Sequence, residues 1–163
     1  MKYSDEIELI KNILKNKKIL ITGLTGTGKS RFMKKISKLF SGVHYYEFDI
    51  DNSAYNLKNK VICIDDMHCA DVIDDINKNN IIIATTQMNY SINSTNINYT
   101  QLINTKLSYK FDYILKIDKF KNKYFYLSEI KNRYINNNFN YYKISNDINF
   151  LNCMRLDKMK KLL

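Results

Sequence analysis

Proline and tryptophan are absent from this sequence, arginine occurs only as Arg31, Arg133 and Arg155, and there are four glycines. The chain is crowded instead with Lys, Asn, Ile and Tyr, the residues that AT-rich codons supply. That bias matters for the net charge of +10. Such a charge suits a nucleic-acid partner, but composition alone produces it too, so charge permits nucleic acid without demonstrating it. The three cysteines, Cys63, Cys69 and Cys153, fall at no disulfide or zinc spacing, which excludes a cysteine scaffold and fits a reducing, cytoplasmic compartment. No apolar run approaches the ~18 residues of a membrane span, so none is expected. Met1 to Asn16 is charged and amphipathic, without a signal-peptide core. His44 and His68 stand alone and read as structural or incidental. A length of 163 residues suits one domain, 1–163, with a single core.

Three of the four glycines fall in one stretch, Gly23-Leu24-Thr25-Gly26-Thr27-Gly28-Lys29-Ser30. It fills every fixed position of the phosphate-binding loop G-x-x-x-x-G-K-[ST]. Lys18 to Thr22 before it reads as a buried strand, and Arg31 to Phe40 after it as a helix with Phe32, Ile36 and Leu39 on one side. Such a strand, loop and helix start surround a polyphosphate with backbone N–H groups and a positive helix end. The glycines let backbone approach the phosphates, where a Cβ would intrude. Lys29 is expected to reach the β and γ phosphates, Ser30 to ligate Mg²⁺, and Arg31 to extend the loop's ligand set. A nucleoside triphosphate, ATP, is the expected ligand.

Taken in order, Ser4 caps a first helix whose Ile7, Ile10, Ile13 and Leu14 are expected inside. Val43 to Ile50 reads as a second strand, and Asp51 to Asn59 as a polar connection. Lys60 to Asp66 is apolar and then abruptly acidic, the Walker B pattern: a buried parallel strand delivering Asp65 to the metal at its C-terminal edge. Ala70 to Lys78 reads as a short helix, and Asn80 to Gln87 as a fourth strand with polar residues at the same edge. Met88 to Thr100 reads as an exposed loop and Gln101 to Ser108 as a short helix. Phe111 to Asp118, Tyr124 to Lys131 and Phe139 to Ile144 are expected strands, with a turn over Lys119 to Lys123. Asp147 to Leu163 is a closing helix touching the core through Leu151, Met154 and Leu162. The fold class is therefore α/β: a phosphate-loop NTPase fold with a mainly parallel sheet, flanking helices, a C-terminal antiparallel meander and a terminal helix. A strand between the Walker B strand and the last parallel strand argues for the ATPase (ASCE) division. A nucleotide kinase is expected to carry a lid and an acceptor site with several arginines, and three in the whole chain argue against it.

Ile81 to Ile92, with Gln87 at the strand end, resembles the fourth strand and following loop of RecA-like ATPases, particularly replicative hexameric helicases and recombinases. Phe111 to Ile117, the hairpin, and Glu129 to Tyr134 with Lys131-Asn132-Arg133 resemble their closing segment. The resemblance spans roughly residues 18 to 145 and implies roles. Gln87 would sense the γ-phosphate and relay it to the 88–100 loop. Lys131 and Arg133 would reach the nucleotide of a neighbouring subunit, as an arginine finger does. Glu47 would orient the attacking water, with Asp66 the position used in other ATPase divisions. The resemblance implies a homo-oligomer, ring or filament, and single-stranded DNA as partner. The stretch from Lys29 to Asp65 is short for a complete helicase motor, which suits a minimal or accessory ATPase within a larger DNA-processing assembly. Competing readings are a secretion or pilus ATPase core, an initiator-type AAA+ module, and a non-hydrolysing, ATP-gated interaction module.

Overall fold

The computed structural model describes residues 4–69, 71–87, 109–133, 140–147 and 149–160. Seven strands form one sheet: β1 (Lys18–Gly23), β2 (Val43–Glu47), β3 (Val61–Asp65), β4 (Ile81–Gln87), β5 (Tyr113–Lys121), β6 (Tyr124–Asn132) and β7 (Tyr141–Ser145). Their spatial order is β2-β3-β4-β1-β5-β6-β7. The first five run parallel and the last two antiparallel. β4 thus lies between β3 and β1.

β1, β3 and β4 are apolar because both faces are covered, while β2, at the edge of the sheet, is only partly buried. Successive side chains alternate between the faces, and the numbering shows it. Ile19, Ile21, Cys63, Ile83 and Leu115 enter one core, and Leu20, Ile62, Ile64, Ile82 and Ala84 the other. The first core is covered by helices α1 (Ser4–Lys15), α2 (Lys29–Ser37) and the terminal α5 (Phe150–Lys160). The second holds Ala54 of α3 (Asn52–Tyr55) and Ile73 of α4 (Val72–Asp75). Among the described residues no helix is long and apolar enough to cross a membrane.

Several boundaries differ from the sequence reading. The 51–59 connection contains the one-turn helix α3, capped where Ser53 N–H donates to Asp51 Oδ1 at 2.8 Å. Four residues with one buried methyl, Ala54, carry too short a pattern to announce it. On α1 the buried stripe is Leu9, Ile10, Asn12 and Ile13, while Leu14 is 41% exposed. The stripe is rotated because Asn12 faces inward to a hydrogen-bond partner. On α5 the frame shifts by one: Phe150 and Cys153 are buried, Met154 is partly so, and Leu151 faces out. The expected turn over 119–123 narrows to Asn122 and Lys123, both at positive φ (52° and 63°), as a two-residue hairpin turn demands. The expected 88–100 loop, the 101–108 helix and Leu162 lie outside the described residues.

The β5–β6 pair contains two one-residue shifts. In the second, Ile117 faces Leu127 and Lys119 faces Tyr126, so Asp118 is an extra residue in β5. Asp118 holds Lys116 in an ion pair at 3.0 Å and accepts a hydrogen bond from Ser128.

A buried polar network fastens α1 to this half of the sheet. Glu129, 3% exposed, accepts hydrogen bonds at 3.0 Å from both Tyr113 and Tyr142 through the same carboxylate oxygen. Asn12 Nδ2 donates to the Tyr142 hydroxyl at 3.1 Å. Burial, followed by the Glu129 carboxylate, pushes the Tyr142 phenol up to about 12. Tyr142→Phe would strip Glu129 of one donor and leave the Asn12 amide without its acceptor. A buried group deprived of its partner costs about 1–3 kcal/mol, so the urea midpoint should fall while the slope stays constant. An unchanged midpoint would remove this network from the account of stability.

Candidate functional site

The motif loop lies between β1 and α2, and each glycine in it meets different surroundings. A Cβ on Gly23 would sit 2.7 Å from the Ile117 carbonyl oxygen, at a φ of 153°. Gly23 is therefore required by the close approach of β5. Gly28, at φ 86°, packs against the Phe125 ring, which a Cβ would meet at 3.1 Å. Only Gly26 faces open space, with nothing within 4 Å of an added Cβ. The loop closes on a single acceptor: Thr27 Oγ1 and Lys29 Nζ both donate to the Leu24 carbonyl at 2.8 Å. Phe32, Met33 and Ile36 of α2 are buried in the first core, and that anchors the helix start under the loop.

The C-terminal ends of β2, β3 and β4 complete a cavity of ≈ 330 Å³ with Thr25, Gly26, Lys29 and Ser30 of the loop. Register brings Glu47 beside Asp65 and Gly23 beside Gln87. Ser30 Oγ donates to Asp65 Oδ1 at 2.8 Å, and Thr85 Oγ1 donates to the same oxygen at 2.6 Å. Thr85 Oγ1 also accepts from the Asp66 N–H at 2.8 Å. Gln87 Nε2 donates to Thr25 Oγ1, so β4 touches the loop directly. Burial lowers the Lys29 ammonium below the usual lysine range, while Asp66 and Asp65 oppose that shift. Ser30 and Asp65 offer two adjacent hard oxygen donors, and among the described residues no cluster of three His, Cys, Asp or Glu could hold a metal unaided. That donor set fits Mg²⁺, which keeps waters and takes its remaining ligands from phosphates.

The structure brings Gly23 to Ser30, Glu47, Asp65, Asp66 and Gln87 to one edge of the sheet. Thr85 joins them, although sequence reasoning gave it no role of its own. Its signal was the polar ending of its strand, but only strand register places it opposite Asp65. His68 also proves to have company. Its ring stacks on Phe48, centroids 5.8 Å apart and 6° from parallel, and its Nε2 lies 3.8 Å from Asp66. Phe48 and Asp66 both adopt positive φ (63° and 54°), a conformation costly for residues with side chains and frequent at functional sites.

Three expected site residues sit elsewhere. The Arg31 guanidinium lies over the Phe120 ring at 5.1 Å, turned to the hairpin. Lys131 pairs in register with Ile114. Arg133 contacts Asp112 twice, by guanidinium to carboxylate at 3.1 Å and backbone to backbone at 3.0 Å. Asp112 in turn donates to the Lys18 carbonyl at 2.9 Å, which is where β1 begins. Lys131 and Arg133 therefore occupy the edge of the sheet opposite the loop.

No protein-family model matches this sequence, and no curated protein matches it. Among solved structures the chain is similar to that described as "Crystal structure of the RadB recombinase", with a TM-score of 0.53 and 13% sequence identity. The match covers 80% of this chain and 89% of that one. At such identity the likeness concerns the fold: a RecA-like α/β architecture, with a mostly parallel seven-stranded sheet that ends in antiparallel strands.

Proposed function

We propose that the chain is a Mg²⁺-dependent ATPase that acts on DNA, with its active site completed by a second copy in a ring or filament. The observation that carries the reading is the 2.8 Å hydrogen bond from Ser30 to Asp65. It joins the phosphate loop to the acidic strand end through the two oxygens that would share a metal. Bound Mg²⁺ would neutralise charge on the β and γ phosphates. Lys29 would exchange the Leu24 carbonyl for phosphate oxygens, and the loop N–H groups with the start of α2 would hold the remaining charge. Glu47 would orient the attacking water, with Asp66, at the same cavity, as the competing base. Gln87, bonded to Thr25 of the loop, would register the γ-phosphate at the end of β4. The helical lid expected of an AAA+ module has β6 and β7 in its place, which favours the RecA-like reading. DNA enters through the resemblance and through the likeness to a structure named as a recombinase.

Trans completion rests on the remoteness of Arg133 from its own loop. The guanidinium is held to Asp112 by an exposed ion pair, its side chain 70% accessible. Such pairs contribute about 0–1 kcal/mol, so a neighbour's phosphate could draw the arginine away at little cost.

Lys29→Ala should lower ATP turnover at least ~100-fold, the scale of losing one donor aimed at transition-state charge. Wild-type affinity and turnover in that variant would overturn the phosphate-loop assignment. Glu47→Gln should slow hydrolysis while leaving the ATP dissociation constant unchanged, since orienting water matters only to the chemical step. Should Asp66→Asn show that behaviour and Glu47→Gln not, the base is Asp66.

Arg133→Ala should bind ATP normally and hydrolyse it slowly. Mixed with Lys29→Ala it should regain activity, because one interface then pairs an intact loop with an intact arginine. Turnover per subunit that is independent of protein concentration and indifferent to Arg133→Ala would remove the shared site.

A further inference from the structure

The face of β5–β7 turned away from α1, α2 and α5 is paved with tyrosine and lysine. In one cross-strand row Lys119 lies beside Tyr126 and Tyr126 beside Lys143. The next row, towards the hairpin turn, is Lys121, Tyr124 and Ser145. Lys119 Nζ sits 4.8 Å from the Tyr126 ring centre, and Lys143 Nζ sits 4.4 Å from that of Tyr124 and 5.8 Å from that of Tyr126. Tyr141, beside Ser128 in the row on the other side of Tyr126, away from the turn, is 75% exposed. The half-buried rings of Tyr124 and Tyr126 thus lie under the ammonium groups of the exposed Lys119 and Lys143. Asp118 is the one acidic residue in these strands on that side, and it is already paired with Lys116.

We propose that this face is a stacking platform for single-stranded DNA, with bases on Tyr124 and Tyr126 and phosphates on Lys119 and Lys143. Tyr124 and Tyr126 are two residues apart on one strand face, hence about 7 Å, a spacing within reach of neighbouring nucleotides in an extended strand. Aromatic faces accept any base, and a cationic groove follows the backbone; together they make a sequence-tolerant single-strand site. The cation–π contacts place each ammonium on a ring it can vacate for a phosphate as a base takes the ring. A duplex, whose base faces are already stacked, could use only the lysines. The proposal deepens the DNA reading above and rests on it for the choice of DNA over RNA.

The test is fluorescence anisotropy with a labelled oligo(dT) of roughly 16 nucleotides, the upper end of the site size of a single OB fold. The Tyr124→Ala/Tyr126→Ala double variant should weaken binding at least about tenfold, given the value of stacking per base, while Tyr124→Phe/Tyr126→Phe binds as the wild type does. Lys119→Ala/Lys143→Ala should flatten the salt dependence by about 1.4 in slope, two single-strand phosphate contacts at ~0.7 each. Because the chain lacks tryptophan, Tyr126→Trp supplies a single reporter whose emission should be quenched as oligo(dT) binds, even if the alanine variant fails to fold. Emission that stays constant while anisotropy saturates would overturn the proposal. So would equal binding by duplex or poly-glutamate, which marks charge alone, or tighter binding of oligo(U), which marks RNA. Self-association lost in the alanine variant with DNA binding intact would assign the face to a second copy instead. ATP turnover is read separately: Lys29→Ala should keep the quenched Tyr126→Trp signal, so failure at the platform and failure of the ATPase reading are distinguishable.

Discussion

One oxygen atom, Oδ1 of Asp65, accepts hydrogen bonds from Ser30 and Thr85, and the loop edge of the sheet is assembled around it. Ser30 stands at the start of α2, Asp65 ends β3, and Thr85 lies near the end of β4. Three chain segments distant in sequence are thereby held to a common point by charge-assisted hydrogen bonds, which are shorter and stronger than neutral ones. Thr85 adds a second attachment by accepting from the Asp66 N–H, which holds the backbone where φ is positive. The order β3-β4-β1 is what makes this possible. Inserting β4 between the acidic strand and the loop strand puts a hydroxyl where it can reach both the carboxylate and the following amide.

Much of this was visible in the sequence, for identifiable reasons. The loop announces itself because turn, phosphate approach and helix start each demand particular residues at fixed intervals. β1, β3 and β4 are legible because burial on both faces makes them continuous apolar runs, and β3 and β4 turn polar where they reach the shared edge. The register that sets Thr85 against Asp65 is invisible, since it depends on pairing between strands rather than on either strand. α3 was missed because one buried alanine makes no period. The inward Asn12 misled the reading of α1, because a polar residue that finds a buried partner looks like a surface position. His68 looked isolated because its neighbour Phe48, just past the end of β2, is far from it in sequence.

The β5–β6 hairpin connects the loop to the far half of the sheet. Phe125 fills the space beside Gly28 and packs on Phe32, ring centroids 5.1 Å apart, and on Phe120 at 4.7 Å. Arg31 leans on Phe120 from the helix side. The inner side of this hairpin is therefore a wall of the phosphate loop, while its outer side carries the tyrosines and lysines. Movement of the loop would be felt across a single layer of backbone. Interiors are packed densely enough that a displaced ring displaces its neighbours.

The added residue Asp118 sets which side chains of β5 face which way. Before it, odd-numbered side chains of β5 (Tyr113, Leu115, Ile117) face the first core; after it, Phe120 does. Side chains alternate with a period of two, so a one-residue change in length reverses the facing of everything beyond it. Deleting position 118 while the tip of the hairpin kept its pairing would leave both surfaces intact. Deleting one residue and letting the tip slide would drive Lys119 inward and turn Phe120 out. Point substitutions can therefore change each side of the hairpin separately, but an insertion or deletion in β5 that shifts the register of the tip acts on both sides at once.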